Sequence, residues 1–265
     1  MKLIKYHALG NDYLFMDSAE QSLPELSFVK RVCHRNFGIG ADGILHGGVS
    51  GGSFSVTIIN PDGSVAEMSG NGLRIFARAM LDCGHASVGE EFCVSTGQRQ
   101  VRCKVISPKK ISVAMGMPLF SAPNLPIGAK SGQKIVANGR PYVYYAVSMG
   151  NPHCVIFVDE LVHEHTMSDG PILENNPAFV EKTNVQFAHL IDGNNIEIDI
   201  WERGAGATLA SGSSSCGVFA VTRMLGQCAE KVSIHMAGGV LHLEEMENGE
   251  ILQIGPVEKI AECVV

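Results

Sequence analysis

One local pattern occurs twice in this chain and restricts the folds open to it. A strand-like run ending at Asn60 leads through a glycine loop to Ser69-Gly70-Asn71-Gly72-Leu73-Arg74-Ile75-Phe76-Ala77. A second run, ending at Trp201, leads through Gly204-Ala205-Gly206 to Ser211-Gly212-Ser213-Ser214-Ser215-Cys216-Gly217-Val218-Phe219-Ala220. The two Ser-Gly pairs lie 142 positions apart, on either side of the Pro118, Pro123 and Pro126 stretch near 115–127. The same order of strand, glycine loop, Ser-Gly and helix predicts a duplicated unit with pseudo-two-fold symmetry. A length of 265 residues suits two such halves. A site between them would see both Ser-Gly corners.

Glycine, at 30 residues, also punctuates the strand-like runs, in Gly10-Asn11-Asp12, Gly38-Ile39-Gly40-Ala41-Asp42-Gly43 and Gly150-Asn151-Pro152. Apolar alternation predicts many short strands, among them Leu3–Tyr6, Tyr13–Asp17, Ser55–Asn60, Tyr142–Ser148, Val185–Leu190 and Ile196–Trp201. Helical spacing predicts only Leu26–Cys33, Asn71–Leu81 and Ser213–Leu225.

Composition narrows the function. A chain that is 45% hydrophobic and 18% charged can bury a core, and a net charge of −7 argues against a phosphate backbone as partner. No apolar run is long enough to span a bilayer, and Met1-Lys2-Leu3-Ile4-Lys5 lacks the apolar core of a signal peptide, so a cytoplasmic chain is expected. The eight cysteines are scattered without CxxC spacing, as reduced and mostly buried residues are, and no metal cluster is predicted. Gly38-Ile39-Gly40 lacks the third glycine of a dinucleotide fingerprint.

At each corner a small hydroxyl side chain precedes the first turn of a helix, where unpaired backbone N–H groups and the positive end of the helix dipole attract an anion. Two such corners can hold an α-carboxylate and stabilise the charge that builds when its α-proton leaves. Serine is equally a favoured N-cap, so Ser69 and Ser211 also read as simple caps. Asn11, Asn60, Asn71, Asn151 and Asn184 stand at strand ends or beside turn residues, where each alone reads as a turn asparagine. With Glu202-Arg203 they form a donor and acceptor set suited to a small zwitterion, Arg203 being able to grip a carboxylate with two N–H groups. His153 reads as a core histidine or as a catalytic orienter.

These motifs, with Arg35-Asn36-Phe37-Gly38-Ile39-Gly40-Ala41-Asp42-Gly43, Asn60-Pro61-Asp62-Gly63-Ser64, Val147-Ser148-Met149-Gly150-Asn151-Pro152-His153, Thr183-Asn184-Val185 and Trp201-Glu202-Arg203-Gly204-Ala205-Gly206, together resemble the diaminopimelate epimerase family along essentially the whole chain. The resemblance implies an α/β (α+β) fold of two pseudo-symmetric domains, each a strongly curved, barrel-like sheet around a central helix, with the active site in the interdomain cleft. The halves would be 1–116, joined by the C-terminal strand 257–265, and 117–256. It implies an isomerase that interconverts LL- and meso-diaminopimelate in lysine and peptidoglycan precursor biosynthesis, without pyridoxal phosphate, other cofactor or metal. Its partners would be a small amino-acid substrate and, from the resemblance alone, a second copy in a homodimer, with no nucleic acid and no membrane.

Inversion needs a base on one face of the α-carbon and an acid on the other. In the family these are two cysteines, which fall on Ser69 and Ser211 here. By the same matching, His153 and Glu202 support the bases and place the α-amino group. Asn11, Asn60, Asn151, Asn184 and Arg203 recognise the distal end, while Gly70-Asn71 and Gly212-Ser213 donate to the α-carboxylate. A thiol near pKa 8.5 comes within working range at a helix terminus, whereas an alcohol stays far above it. With no other residue at the corners expected to activate the serines, the chain as written is expected to bind substrate with little or no turnover. Three explanations fit: a deliberate replacement of both thiols, a natural relative that kept only binding, or a serine-based enzyme with another reaction. Ala207 in place of a common glutamate, and Ser214-Ser215 in place of glycine-alanine, leave open a racemase of another amino acid, such as histidine, or a non-catalytic amino-acid-binding relative.

Overall fold

The computed structural model describes residues 1–66, 68–97 and 99–265. They divide into two compact units, Met1–Ala114 with Ile254–Val265, and Met115–Gln253. The fold is mixed α/β, mostly strand, with four helices among the described residues.

In the first unit the order is β1 (Lys2–Ala8), β2 (Asn11–Asp17), α1 (Leu26–Cys33), β3 (Ile44–Ser50), β4 (Ser53–Ile59), β5 (Val65–Ala66), α2 (Gly70–Asp82), β6 (Glu91–Ser95), β7 (Gln100–Ser107) and β8 (Lys110–Ala114). Strand β1 is antiparallel to β2, α1 crosses to β3 parallel to β2, and β3 is antiparallel to β4. Helix α2 then leads to β6, parallel to β4, and to the antiparallel run β6-β7-β8.

The second unit repeats this order. It holds β9 (Gln133–Ala137), β10 (Arg140–Ser148), β11 (Pro152–Phe157), α3 (His163–Glu174), β12 (Asn184–Leu190), β13 (Asn195–Glu202), β14 (Gly206–Ala207), α4 (Gly212–Met224), β15 (Lys231–Met236) and β16 (Gly239–Glu245). Strand β11 is parallel to β12 across α3, and β13 is parallel to β15 across α4, with antiparallel pairing elsewhere. Strand β17 (Ile251–Pro256) returns the chain to the first unit, where β18 (Glu258–Val264) pairs antiparallel with β1.

Each unit wraps strands around one helix. Helix α2 packs on β1, β2, β3, β7 and β8, and α4 on β10, β11, β12, β15 and β16. A helix enclosed in this way must be buried all round, which an amphipathic stripe does not provide. Leu73, Ile75, Phe76 and Met80 are fully buried in α2, as are Cys216, Val218, Phe219 and Val221 in α4. Small residues let the strands of the second unit close in: a β-carbon at Gly217 would lie 3.1 Å from the His153 ring.

Helix α3 escapes the sequence reading because Gly170-Pro171 interrupts it. Fully buried Asp169 anchors it instead. Arg140 Nε and Nη2 donate to Asp169 at 2.7 and 2.6 Å, with further bonds from Asn138 Nδ2 and Tyr142 Oη at 2.7 and 2.5 Å. Burial pushes the Asp169 carboxyl up, but these donors, led by Arg140, outweigh it and hold it at about 2.

Candidate active site

Both Ser-Gly corners are helix N-caps of nearly one conformation. Ser69 precedes α2 with φ −142° and ψ 115°, and Ser211 precedes α4 with φ −135° and ψ 124°. Each hydroxyl oxygen accepts the N–H three residues on, from Gly72 at 3.0 Å and from Ser214 at 3.4 Å. The cap reading and the ligand reading are compatible, since a cap uses one N–H and leaves the rest of the first turn. Among the described residues no partner receives the N–H groups of Gly70, Gly212 or Ser213.

The corners differ in one respect that bears on their chemistry. The Ser211 hydroxyl donates to Glu202 Oε2 at 2.8 Å, and Thr208 Oγ1 donates to Glu202 Oε1 at 2.7 Å. Glu202 ends β13 and Thr208 follows β14, so the hairpin between them delivers the carboxylate to the helix start. This corrects the expectation that nothing at these corners can activate the serines: Ser211 has a carboxylate acceptor. Ser69 has no carboxylate among the described residues.

His153 lies behind the second corner. It is fully buried, its Nε2 donates to Asn151 Oδ1 at 3.0 Å, and its Nδ1 accepts from Gln186 Nε2 at 3.2 Å. Gln186 also donates to Ser214 Oγ at 3.0 Å. Burial drives the His153 imidazolium pKa down to about 3, so the ring is neutral, with its proton on Nε2. Among the described residues it connects to Ser211 through Gln186 and Ser214. Gln186 was missed in the sequence; its signal is a polar residue within the buried run Asn184–Ala188.

The other expected ligands divide between binding geometry and scaffolding. Asn184 Nδ2 donates to Pro152 O at 2.9 Å and its Oδ1 accepts from Arg203 N at 3.1 Å, clipping β13's end to β11. Arg203 is exposed and spends one N–H on Glu181 O at 3.0 Å. Asn60 Nδ2 donates to Ser64 Oγ at 2.9 Å, closing its own turn. Asn71 is buried, with Oδ1 accepting from the enclosed Arg74 guanidinium at 2.6 Å. Asn11 Nδ2 donates to Asp42 Oδ2 at 2.8 Å, which ties the first glycine motif to the second. No group of three or more metal-ligating side chains exists among the described residues, and no described helix is long and apolar enough to cross a membrane.

Two surface recesses lie away from these residues. One of about 410 Å³ is lined by Phe54, Phe92 and Cys93 on β4 and β6, the other of about 200 Å³ by Phe219, Arg223 and Glu245 beside α4.

The fold is one shared by racemases and epimerases. A probable proline racemase from Agrobacterium radiobacter superposes with a TM-score of 0.73 at 12% identity, covering 100% of this chain and 92% of that one. A hydroxyproline epimerase from Agrobacterium vitis gives 0.72 at 11%, covering 99% and 90%. The diaminopimelate epimerase family profile matches residues 3–120 and 145–260, and the chain belongs to that family. It is 40% identical to diaminopimelate epimerase 2 of Nostoc sp., over 99% of this chain and 94% of that protein. It is 35% identical to diaminopimelate epimerase of Moorella thermoacetica, over 98% and 97%. The family and these relatives are isomerases.

Proposed function

We propose that this chain is built for epimerisation of diaminopimelate at its α-carbon and, with serine at 69 and 211, binds that substrate without inverting it. The observation that carries this reading is the pair of equivalent N-cap hydroxyls, each at the head of a buried helix, at the two positions matched to the family's bases. Inversion requires two acid–base groups on opposite faces of one carbon, and two copies of one corner are suited to that demand. The first-turn N–H groups of both helices favour the negative charge that the carboxylate gathers as the proton leaves.

Serine fails in this role for reasons of acidity. The Glu202 carboxylate accepts a hydrogen bond from the Ser211 hydroxyl, yet a carboxylate is intrinsically a weaker base than a thiolate. Proton removal through Ser211 to Glu202 therefore has less driving force than removal by a thiolate. Among the described residues Ser69 has no such acceptor.

Calorimetric titration with LL- and meso-diaminopimelate, and separately with histidine, tests the reading. Saturable binding of diaminopimelate with no conversion between its stereoisomers supports it. Binding of histidine alone would move the substrate to another amino acid, and ready conversion by the unaltered chain would remove the claim that serine blocks inversion.

A further inference from the structure

Glu174 is a carboxylate where the helix itself disfavours one. It is the last residue of α3, at the negative end of the helix dipole, and is only 6% exposed. Its two oxygens are spent on the turn between β13 and β14: Oε2 accepts from Trp201 Nε1 at 2.8 Å and Oε1 from Gly204 N at 3.1 Å. These donors stand on either side of Glu202-Arg203, so one side chain grips both flanks of that pair. Lys182 Nζ, 3.9 Å from Oε1, supplies an opposite charge.

Two N–H groups converging on one side chain demand an acceptor at both positions. A carboxylate provides that and a carboxamide does not, because its nitrogen would face an N–H. The surrounding turn shares the constraint. Gly170, one turn earlier in α3, has no room for a β-carbon, which would fall 2.6 Å from Trp201 Cγ, so the indole packs directly on the helix. Gly204 turns with φ +77°, and Arg203 N is held by Asn184 Oδ1. Glu202 leaves this clamp with its own carboxylate on the Ser211 and Thr208 hydroxyls.

We infer that Glu174 is a positioning residue that holds the Glu202 carboxylate against the side chain at 211. It acts through the backbone from Trp201 to Gly204. The role rests on the reading of residue 211 as an acid–base position, but it is measured without substrate. Failure of diaminopimelate to bind would therefore overturn the substrate reading and leave this role to its own result.

A thiol at 211 reports the contact, since a carboxylate beside it raises the pH at which it ionises. Alkylation of Ser211→Cys by iodoacetamide against pH, on the full chain and resolved by peptide mass, gives that midpoint. Adding Glu174→Gln should lower it by about one pH unit or more, about a tenfold or greater gain in thiolate at a given pH. Adding Glu202→Gln should lower it at least as far. Glu174→Gln on top of Glu202→Gln should then change it by less than about 0.3 pH unit, because both act through one contact. The midpoint of Ser69→Cys should stay fixed in Glu174→Gln, whereas a merely structural role would shift both thiols or neither. Trp201→Phe removes one of the two donors and keeps an aromatic ring beside Gly170, so it should lower the 211 midpoint even where Glu174→Gln does not fold. An unchanged 211 midpoint in Glu174→Gln, Trp201→Phe or Glu202→Gln, an equal shift at 69 and 211, or an undiminished further drop in the Glu202→Gln background would each overturn the inference.

Discussion

Restoring a thiol at each corner in turn should give two groups of different acidity. At residue 69 the side-chain atom faces the Gly72 N–H at the head of α2. A helix N-terminus favours a negative charge by about 0.3–1 kcal/mol, which lowers a thiol from about 8.5 to roughly 8. At residue 211 the Glu202 carboxylate lies within 2.8 Å of the hydroxyl. Two like charges about 4 Å apart at an effective dielectric of 20 repel by about 4 kcal/mol, or about three pK units, which overwhelms the helix end. Ser69→Cys should therefore titrate at about 8 and Ser211→Cys at about 11, so that at pH 7 roughly a tenth of the thiol at 69 is thiolate and almost none of that at 211. The assay is iodoacetamide alkylation of each single variant against pH, resolved by peptide mass, with the midpoint rather than the absolute rate compared because Ser211 is only 3% exposed. Native Cys33 and Cys228, pushed by burial to about 11, and Cys103, to about 12, serve as internal references. Equal midpoints, or a lower one for Ser211→Cys, would refute the reasoning.

Other consequences follow from single groups. His153 is held neutral with a pKa near 3, so its contribution to stability is full above about 6.5 and is lost as pH falls toward 3, by roughly 1.4 kcal/mol per pH unit; thermal unfolding of His153→Gln against pH should show a shallower acid slope than the unaltered chain. The Asp169 carboxyl is depressed to about 2, so its contribution is present above about 3.8 and lost as pH falls through 2. Asp169→Asn should cost about 2–4 kcal/mol at pH 7 in urea denaturation, with the gap narrowing at pH 2. In the Ser69→Cys/Ser211→Cys background, Glu202→Gln should lower kcat with little change in KM, since the carboxylate touches the proton-transfer group at 211; a matched rise in KM would instead make it a substrate-binding residue.

Much of this architecture is legible in the chain because duplication writes the signal twice. Helix Leu26–Cys33 is found at its predicted bounds, and Asn71–Leu81 and Ser213–Leu225 each begin within one residue of theirs. Those starts are fixed locally, by a serine cap before glycine. Strands β3, β9 and β17 carry little strand signal, since Gly47-Gly48 in β3 and the charged or polar residues of the others break alternation, and tertiary pairing supplies what propensity lacks. Helix α3 was lost to Pro171 because the Arg140–Asp169 anchor joins residues 29 positions apart. The site is legible as a set of residue types but not as a set of partners. Sequence shows Asn184 beside a strand, whereas only the coordinates show both ends of its amide bound to backbone. Likewise Glu202 follows Trp201 in an apparent ligand motif, and its bond to Ser211 depends on the β13–β14 turn.

The measurement closest to the central claim follows LL-diaminopimelate in deuterium oxide, with α-deuterium read by mass and configuration by chiral separation. Ser69→Cys/Ser211→Cys should acquire α-deuterium together with inversion, and the unaltered chain should show no inversion over the same period. Inversion by the unaltered chain at the rate of the double variant, or a double variant that binds diaminopimelate yet neither exchanges nor inverts it, would contradict the assignment of residues 69 and 211 as the two acid–base positions.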